Sequence, residues 1–427
     1  MTPAAHVQSV ITILDEIFAS PKPADSVISA HFRHNRYIGS KDRKQITRQL
    51  YRVLRHYHRL SWHTPYATTR YMVLADICLL GRQDPAEFFG QEQYGPTPMT
   101  KNEQAFVYSL EGKHITDKKM PQHIQLECPT WAVPSLEKAL GDQFVPVMEA
   151  MRSEAPLDLR VNTEKTDRDT LREALQFPAE NTPYSPWCLR VTGSRPALGQ
   201  NDLFNKGQFE VQDEGSQMIA LAANPSKRNR VLDFCAGAGG KTLALGAMMK
   251  NKGQIMAIDV SEGRLKRAKQ RFRRADLHNV TTRAIKSETD PWLKRHRGKY
   301  DIVLVDAPCS GTGTWRRDPD KKWRSIGPKL DELLDLQKRI LDSAVRMVKP
   351  GGRLIYATCS LLCEENNDQF QAFLERHDDI SALDMSKEEQ LSHLKLTTPY
   401  MQLNPSEHKT DGFFCAIAVR NKKDNDK

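Results

Sequence analysis

Two cysteine residues follow apolar, strand-like runs in the second half of the chain. The run IVLVDAP (302–308) carries Asp306 and leads into Cys309, and the run RLIYATC (353–359) ends at Cys359. In an open α/β sheet the carboxyl ends of the strands are where ligands bind, so these side chains are expected to converge there. A single cysteine is most often a buried, inert thiol. Two thiols at two strand ends instead favour a reactive site.

Metal binding is the alternative for this group of cysteines. Cys309, Cys359 and Cys363 have no histidine or fourth ligand at a suitable spacing, so a metal centre is not expected. The eight cysteines of the chain include no CxxC pair, which argues against a paired zinc site and against a disulfide framework. We therefore expect free thiols.

A glycine-rich turn follows the first strand of the same region. VLDF (231–234) leads into CAGAGGKT (235–242). This turn is not a Walker A loop, because Cys235 stands where that motif needs a glycine, and it is not a dinucleotide fingerprint, because Thr242 stands in place of its last glycine. Asp259 ends the next strand about 20 residues later, where an acid can accept hydrogen bonds from a ribose diol. This pattern suits a nucleoside cofactor without a pyrophosphate, such as S-adenosylmethionine. A purely structural glycine turn is the alternative.

The overall composition limits the class of protein. The chain has 427 residues, of which 39% are apolar and 27% charged, and its mean hydropathy is −0.60. It has no apolar run near the roughly 20 residues that a membrane helix needs. Asp15 and Glu16 interrupt the first helical pattern and no basic segment precedes an apolar run, so no secretory signal is expected. The sequence predicts a globular protein of two to three domains in the cytoplasm.

The elements that must position the cysteines and the glycine turn form an α/β pattern. From about residue 206 to 421, short apolar strands alternate with amphipathic helices, which predicts a Rossmann-like, doubly wound and mostly parallel sheet. Residues 120–205 are interpreted as a small α/β unit, and residues 1–115 as an all-helical domain. The tail 422–427 is predicted to be disordered.

The helical region contains a concentration of positive charge. The chain has a net charge of +10, and residues 31–70 contain ten Lys or Arg but one acid, Asp42. Six of these cations recur at steps of three and four and are expected to share one helical face: Lys41, Lys44, Arg48, Arg52, Arg55 and Arg59. A solvated charged face is one interpretation. Like charges repel one another along such a face, and a single acid offsets little of this repulsion. This favours the second interpretation, in which the face contacts RNA or DNA phosphates.

With these motifs, the chain resembles the RsmB/Nop/Sun family of RNA cytosine-5 methyltransferases over nearly its whole length. The paired PCS and TCS cysteines are the most specific feature. The residues 40–62 also resemble the NusB-like N-terminal domain of the bacterial RsmB type. The other matching stretches are LRVN (159–162), FEVQDEGSQ (209–217), VLDFCAGAGGKT (231–242), DVSEGRL (259–265), DAPCSGTGTWRRDPDKKW (306–323), GGRLIYATCS (351–360) and DGFFCA (411–416).

The resemblance implies a class I methyltransferase domain that uses S-adenosylmethionine, and it implies roles for individual residues. Cys359 would add to carbon 6 of cytosine, and Cys309 would help the product leave. Asp306 would meet N3 of the base, and Lys241 would favour a thiolate by its positive charge. The residues implied to bind the cofactor are Cys235, Ala236, Gly237, Ala238, Gly239, Gly240, Lys241, Asp259, Arg264 and Asp306. The implied partner is RNA, ribosomal RNA of the small subunit in particular, bound by a monomer without metal or membrane.

One position departs from the family. An acid near the adenine usually follows the third strand, but Lys286 or Ser287 stands there, with Glu288 or Asp290 as substitutes after a small shift of the loop. Two other functions stay open: a methyltransferase of another nucleic acid, such as tRNA, and a non-catalytic RNA-binding assembly factor. The paired cysteines argue against the former. The intact acids and thiols argue against the latter.

Overall fold

The computed structural model describes residues 1–91, 93–324 and 327–422. The predicted disordered tail therefore lies outside the described residues except for Lys422. The chain forms two compact units. One comprises Met1–Glu154 with Trp315–Lys329, and the other comprises Ala155–Thr314 with Leu330–Lys427. These units do not follow the predicted boundaries at 115, 120–205 and 206–421, and the division into three domains stays a prediction.

The first unit is helical, as the periodicity of the N-terminal sequence predicts. Its longest helices bury an apolar stripe. In α3 the buried residues follow the helical period and share one side of the helix: Ile46, Leu50, Val53 and Leu54. The helices are α1 (Pro3–Ala19), α2 (Ala24–His34), α3 (Ser40–Arg55), α4 (Tyr57–His63), α5 (Thr69–Asp76), α6 (Lys101–Ser109), α7 (Gln122–Gln125), α8 (Val133–Leu140) and α9 (Phe144–Ala150).

Three features of this unit differ from the sequence expectation. Helix α6 lies in the segment 91–130, whose Pro, Gly and polar content predicts a loop and linker instead. The sequence 134–151 predicts one helix, but the structure divides it into α8 and α9 at Gly141, whose φ of +51° does not fit a helix. The segment Trp315–Lys329, expected in the α/β domain, packs with the helices.

The second unit begins with a small antiparallel sheet, which agrees with the predicted α/β unit. Its strands are ordered β2-β3-β1-β4. The strands are β1 (Asp158–Val161), β2 (Ala179–Asn181), β3 (Cys188–Val191) and β4 (Phe209–Val211), with the helices α10 (Arg168–Ala174) and α11 (Asp202–Asn205). The fourth strand lies beyond residue 205, the predicted end of this unit.

The larger sheet has the predicted doubly wound, mostly parallel form. Its order is β10-β12-β9-β8-β5-β6-β7, and β11 pairs with β12. The five strands from β5 to β9 are parallel to one another. Strand β12 runs antiparallel to β9, β10 and β11. The strands are β5 (Arg230–Asp233), β6 (Gln254–Asp259), β7 (Val280–Ala284), β8 (Tyr300–Asp306), β9 (Val348–Thr358), β10 (Ile380–Leu383), β11 (Met401–Leu403) and β12 (Phe413–Arg420).

Helices cover both faces of this sheet and leave the carboxyl ends of its strands accessible. Two clusters of buried apolar side chains lie on opposite faces, one around Val231 and Leu304 and the other around Leu232 and Val303. The helices are α12 (Glu214–Ala223), α13 (Gly240–Met248), α14 (Glu262–Ala275), α15 (Pro291–Lys294), α16 (Leu330–Ala344) and α17 (Asn367–Glu375). Within the part of the chain that the structure describes, no helix is long and apolar enough to cross a membrane.

Candidate active site

The two cysteines singled out in the sequence meet at the carboxyl edge of the large sheet. Cys309 follows β8 and Cys359 follows β9, and these strands are parallel neighbours in which Asp306 pairs with Ala357. The two Sγ atoms lie 3.4 Å apart, within hydrogen-bonding distance for sulfur. The structure therefore brings both thiols to one place.

An ion pair lies beside the thiols. Lys241, in the first turn of α13, donates a hydrogen bond from Nζ to Oδ2 of Asp306 at 2.7 Å. Burial lowers the pKa of Lys241, but the charge of Asp306, the hydrogen bond to it and the charge of Cys359 together raise the pKa above its ordinary value. Lys241 is thus a fixed positive charge at this edge of the sheet.

The contact between the two sulfurs affects the acidity of the Cys309 thiol. The hydrogen bond to Cys359 raises the pKa of the Cys309 thiol well above its ordinary value, and burial adds to this effect. The negative charge of Cys359 is meanwhile one of the causes that raise the pKa of Lys241. The two sulfurs and the Lys241 side chain therefore interact electrostatically at this edge of the sheet.

Glu365 holds the Cys309 turn in place, and sequence reasoning missed it. Its buried carboxylate accepts hydrogen bonds from the backbone N and the Oγ of Ser310, at 2.8 and 2.5 Å, and from Nε2 of Gln337 at 3.0 Å. The hydroxyl of Tyr356 donates to the backbone carbonyl of Glu365 at 2.6 Å. The only sequence signal is the acid pair at 364–365, which is separated from the TCS motif (358–360) by three residues.

The glycine-rich turn between β5 and α13 lies at the same edge. Gly237 and Gly239 have φ values of +54° and +78°, which favour glycine. A Cβ at Gly239 would lie 2.6 Å from the ring of Phe272, so this position excludes a side chain. Among the described residues nothing lies within 4 Å of a Cβ built at Gly237, so the turn faces open space there.

Asp259, at the end of β6, is bonded to this turn. Its two carboxylate oxygens accept hydrogen bonds from the backbone N of Gly237 at 2.8 Å and of Ser261 at 2.7 Å. Val260 follows with 65% of its surface exposed and was not singled out from the sequence. An acid, an exposed apolar side chain and an open glycine turn fit the ribose, the adenine and the amino-acid end of S-adenosylmethionine.

The remaining cofactor residues named from the sequence lie around this turn. Arg264 is exposed in the first turn of α14. Asp233, at the end of β5, accepts a hydrogen bond from Oγ1 of Thr242 at 2.6 Å, and burial raises its pKa to about 7. Cys235, Ala236, Ala238 and Gly240 form the backbone of the turn itself. Within the described residues, no group of three or more His, Cys, Asp or Glu side chains is arranged to bind a metal ion.

The corner where the sequence departs from its family contains two acids with protein partners. Asp290 accepts hydrogen bonds from the backbone N of Lys286 and of Trp292, both at 2.9 Å, and these bonds lower its pKa. Glu288 accepts from Nε of Arg339 at 2.7 Å. The side chain of Lys286 is exposed. Both substitute acids are therefore already engaged by the protein.

The basic stripe of the helical unit is shorter than the sequence suggested. Helix α3 ends at Arg55, so Arg59 lies in α4, where it is buried and bonded to Glu127 at 3.0 Å. Arg52 pairs with the fully buried carboxylate of Asp76 at 2.6 Å. The expectation that all six cations share one exposed face is wrong, because carboxylates distant in sequence hold these two arginines.

The other four cations of the stripe differ in exposure. Arg55 is half-buried and donates to the backbone carbonyl of Arg316 at 3.2 Å. Lys41, Lys44 and Arg48 are exposed on α3. The part of the stripe that faces solvent is therefore the first half of the helix.

Known proteins share both the sequence and the fold. A family model described as 16S rRNA methyltransferase RsmB/F matches residues 219–418, and a ferredoxin-like domain of RsmF/B-like methyltransferases matches 128–197. The chain is 34% identical over 295 residues to ribosomal RNA small subunit methyltransferase B of Pectobacterium atrosepticum, covering 69% of this chain and 66% of that relative. It is 33% identical over 310 residues to the protein so named in Photorhabdus laumondii, covering 72% and 69%.

The chain spans about two thirds of the length of these curated relatives. Its fold is similar to the crystal structure of PH0851 over 99% of each chain, with a TM-score of 0.76 and 24% identity.

Proposed function

The chain belongs to the RsmB/F family of 16S rRNA methyltransferases, which are S-adenosylmethionine-dependent RNA cytosine-5 methyltransferases, and we propose that it methylates carbon 5 of a cytidine in 16S rRNA. The observation that carries the proposal is the pair of thiols 3.4 Å apart beside the Lys241–Asp306 ion pair. A methyltransferase that acts on an ordinary nucleophile needs no such pair.

Cys359 is the nucleophile in this proposal. Carbon 5 of cytosine is too weak a nucleophile by itself, so the Cys359 thiolate forms a bond to carbon 6 and the electron pair of the C5–C6 double bond becomes available at carbon 5. The fixed charge of Lys241 favours the thiolate. In this proposal Cys309, whose Sγ lies 3.4 Å from that of Cys359, keeps its proton and its S–H group also stabilises the thiolate.

Asp306 faces the base from the other side of the ion pair. About one third of its side chain is exposed, so it is open to a ligand while it holds Lys241. A proton held between Asp306 and N3 of the base stabilises the adduct, because the ring nitrogen gains electron density when the sulfur adds.

Cys309 acts after the methyl group has been transferred. Removal of the carbon 5 proton restores the C5–C6 double bond and expels the Cys359 thiolate. The hydrogen bond to the Cys359 sulfur, the largest cause of the raised pKa of Cys309, is lost once that sulfur is bonded to carbon. Cys309 therefore loses its proton to water more easily at this stage, and its thiolate then takes the proton from carbon 5.

S-adenosylmethionine supplies the methyl group when it is bound. Asp259 is placed to accept hydrogen bonds from the ribose hydroxyls, and Val260 offers an apolar surface for the adenine. The glycine turn from Cys235 to Gly240 allows the ligand to lie against the backbone. Asp306 and Lys241 close the site towards the base.

The RNA must present the target base out of its stack, because a stacked ring does not expose carbons 5 and 6 to the thiols and the cofactor. Lys41, Lys44 and Arg48, which are exposed on α3, supply phosphate contacts. The proposal also includes the expectation that the protein works as a monomer in the cytoplasm.

Bisulfite sequencing of ribosomal RNA from cells with and without the gene tests this function. We expect one cytidine of 16S rRNA to lose its methyl group in cells lacking the protein and to regain it on complementation. Complementation with a Cys359→Ala variant should not restore it. Loss of a methyl group from tRNA instead would favour the alternative substrate, and unchanged methylation of all RNA would favour the non-catalytic assembly factor.

A further inference from the structure

The turn between α2 and α3 displays an aromatic side chain to solvent. Helix α2 ends at His34 and α3 begins at Ser40, and Tyr37 lies between them with 73% of its surface exposed. An exposed aromatic ring offers a flat face on which another ring can stack. Tyr37 lies in a basic segment of the chain, residues 31–70, which has ten Lys or Arg and one acid.

The backbone of this turn is held firmly by its neighbours. Ile38, the next residue, is buried with 1% exposure. Arg43 donates from Nε to the carbonyl of Ile38 at 2.8 Å and from Nη2 to the carbonyl of Phe32 at 3.2 Å, and its guanidinium lies over the Phe32 ring. These contacts hold the backbone next to Tyr37, so ordering of the turn adds little entropic cost when a ligand packs on the ring.

Positive charge surrounds the exposed ring in the sequence. Arg33, Arg36 and Lys41 are exposed at the end of α2, in the turn and at the start of α3. The one acid of residues 31–70, Asp42, is engaged by the N-terminal amine at 3.1 Å and by Nε2 of His6 at 2.8 Å. The hydrogen bond to His6 holds the pKa of Asp42 below its usual range. Asp42 thus stays ionised, but these two partners offset its charge and the cations of the segment remain in excess.

We propose that Tyr37 is a stacking platform for an unpaired base of the RNA, with Arg33, Arg36 and Lys41 contacting the phosphates on either side. The proposal rests on the proposed function for the identity of the ligand. Single-stranded binding surfaces combine cations that follow the backbone with aromatic rings on which bases stack. A base within a duplex is already stacked on its neighbours, so the platform selects single-stranded or looped RNA.

Binding of the full-length protein to a short, unstructured RNA, measured at several salt concentrations, tests this platform. Tyr37→Ala should weaken binding about tenfold, since stacking is worth roughly 1 to 3 kcal/mol per base, while the slope of log affinity against log salt stays unchanged. Tyr37→Phe, which keeps the ring, should bind as the parent does. Arg36→Ala should reduce the slope by about 0.7.

Tyr108 provides a matched control. It is 72% exposed on α6 of the same unit, outside the basic segment, so Tyr108→Ala should leave binding unchanged. Equal affinities of the Tyr37→Ala and parent proteins would overturn the proposal. So would an equal loss with duplex RNA, or a loss shared by Tyr37→Phe. Methylation at saturating RNA is measured alongside: its absence in the parent protein would count against the proposed function alone, because the binding comparison needs no turnover.

Discussion

The Sγ atoms of Cys309 and Cys359 lie 3.4 Å apart at the ends of two neighbouring parallel strands. Carbons 5 and 6 of a pyrimidine are bonded to each other, so two sulfurs at this distance can act on one ring in succession. The strand register sets this distance, because Asp306 pairs with Ala357 and each cysteine follows its strand by a short turn. The separation is thus a property of the sheet rather than of flexible loops.

Replacement of Cys359 and replacement of Cys309 are expected to block different steps of the reaction. Cys359→Ala should abolish methylation but leave S-adenosylmethionine binding nearly intact, because its thiol acts on the base. Cys309→Ala should allow the bond to carbon 6 to form but slow its release. A protein–RNA species that survives denaturing gel electrophoresis should therefore accumulate for Cys309→Ala and be absent from the double variant. Loss of activity without a trapped species in either single variant would contradict this division of roles.

Glu365 is expected to act as a positioning residue for the Cys309 turn. Glu365→Gln replaces one acceptor oxygen by a donor that faces the hydrogen-bond donors of Ser310 and Gln337. We expect kcat to fall about 10- to 100-fold, since small misplacements of a catalytic group have effects of this size, with S-adenosylmethionine affinity unchanged. Part of the protein should be trapped on RNA, as with Cys309→Ala. Glu375→Gln, on the exposed side of α17, is the control. A Glu365→Gln enzyme with normal product release would refute the positioning role.

The parts of the site that the sequence predicted are those encoded locally. Apolar runs followed by Asp306, Asp259 and the glycine turn mark strand ends, and the doubly wound sheet follows from their alternation with helices. Glu365 could not be predicted in this way, because its role depends on Ser310, 55 residues away in the chain. An acid in an irregular segment has no periodicity that distinguishes it.

The charge of the helical unit shows the same limit. The spacing of Arg52 and Arg59 suggested an exposed face, but whether an arginine faces solvent or a buried carboxylate depends on residues such as Asp76 and Glu127. The segment Trp315–Lys329 also depends on contacts with residues that are far away in the sequence. Trp323 donates from Nε1 to the carbonyl of Leu54 at 2.8 Å across 269 residues, a pairing that only the tertiary structure determines.

Arg52 is expected to matter for stability. Arg52→Ala leaves the fully buried carboxylate of Asp76 without its charged partner, which should reduce the free energy of unfolding by about 3 to 5 kcal/mol. Arg48→Ala, one turn earlier and exposed, should change it little. Urea denaturation of both variants measures the difference. An Arg52→Ala protein as stable as the parent would return Arg52 to the solvent-facing, RNA-binding stripe.

Asp233 is expected to make stability depend on pH. Burial raises its pKa from 3.8 to about 7, so between these values the folded protein holds a proton that the unfolded chain has released. Its contribution therefore lowers the free energy of unfolding as pH rises from about 4 to about 7, by up to about 1.4 kcal/mol per pH unit. Asp233→Asn keeps an acceptor for Thr242 and removes this titration. Relative to the parent, the variant should become more stable from pH 4 to pH 7 in urea denaturation. A constant difference between the two proteins would show that Asp233 is ionised throughout.

The last prediction concerns the cofactor. Asp259→Ala removes the acceptor proposed for the ribose hydroxyls and also the one that holds the backbone N of Gly237 at 2.8 Å. Hydrogen bonds to a charged group are worth about 1.5 to 3 kcal/mol, so the dissociation constant of S-adenosylmethionine should rise about 10- to 100-fold. Asp259→Asn retains one acceptor oxygen, so its dissociation constant should lie between those of the parent and of Asp259→Ala. Lys286→Ala should have a much smaller effect. The side chain of Lys286 is exposed, and the hydrogen bond to Asp290 comes from its backbone N, which the substitution keeps. Calorimetric titration with the cofactor alone separates these outcomes without RNA. Comparable weakening by Lys286→Ala would mean that Lys286 faces the adenine, and the placement of that corner by family resemblance would be wrong.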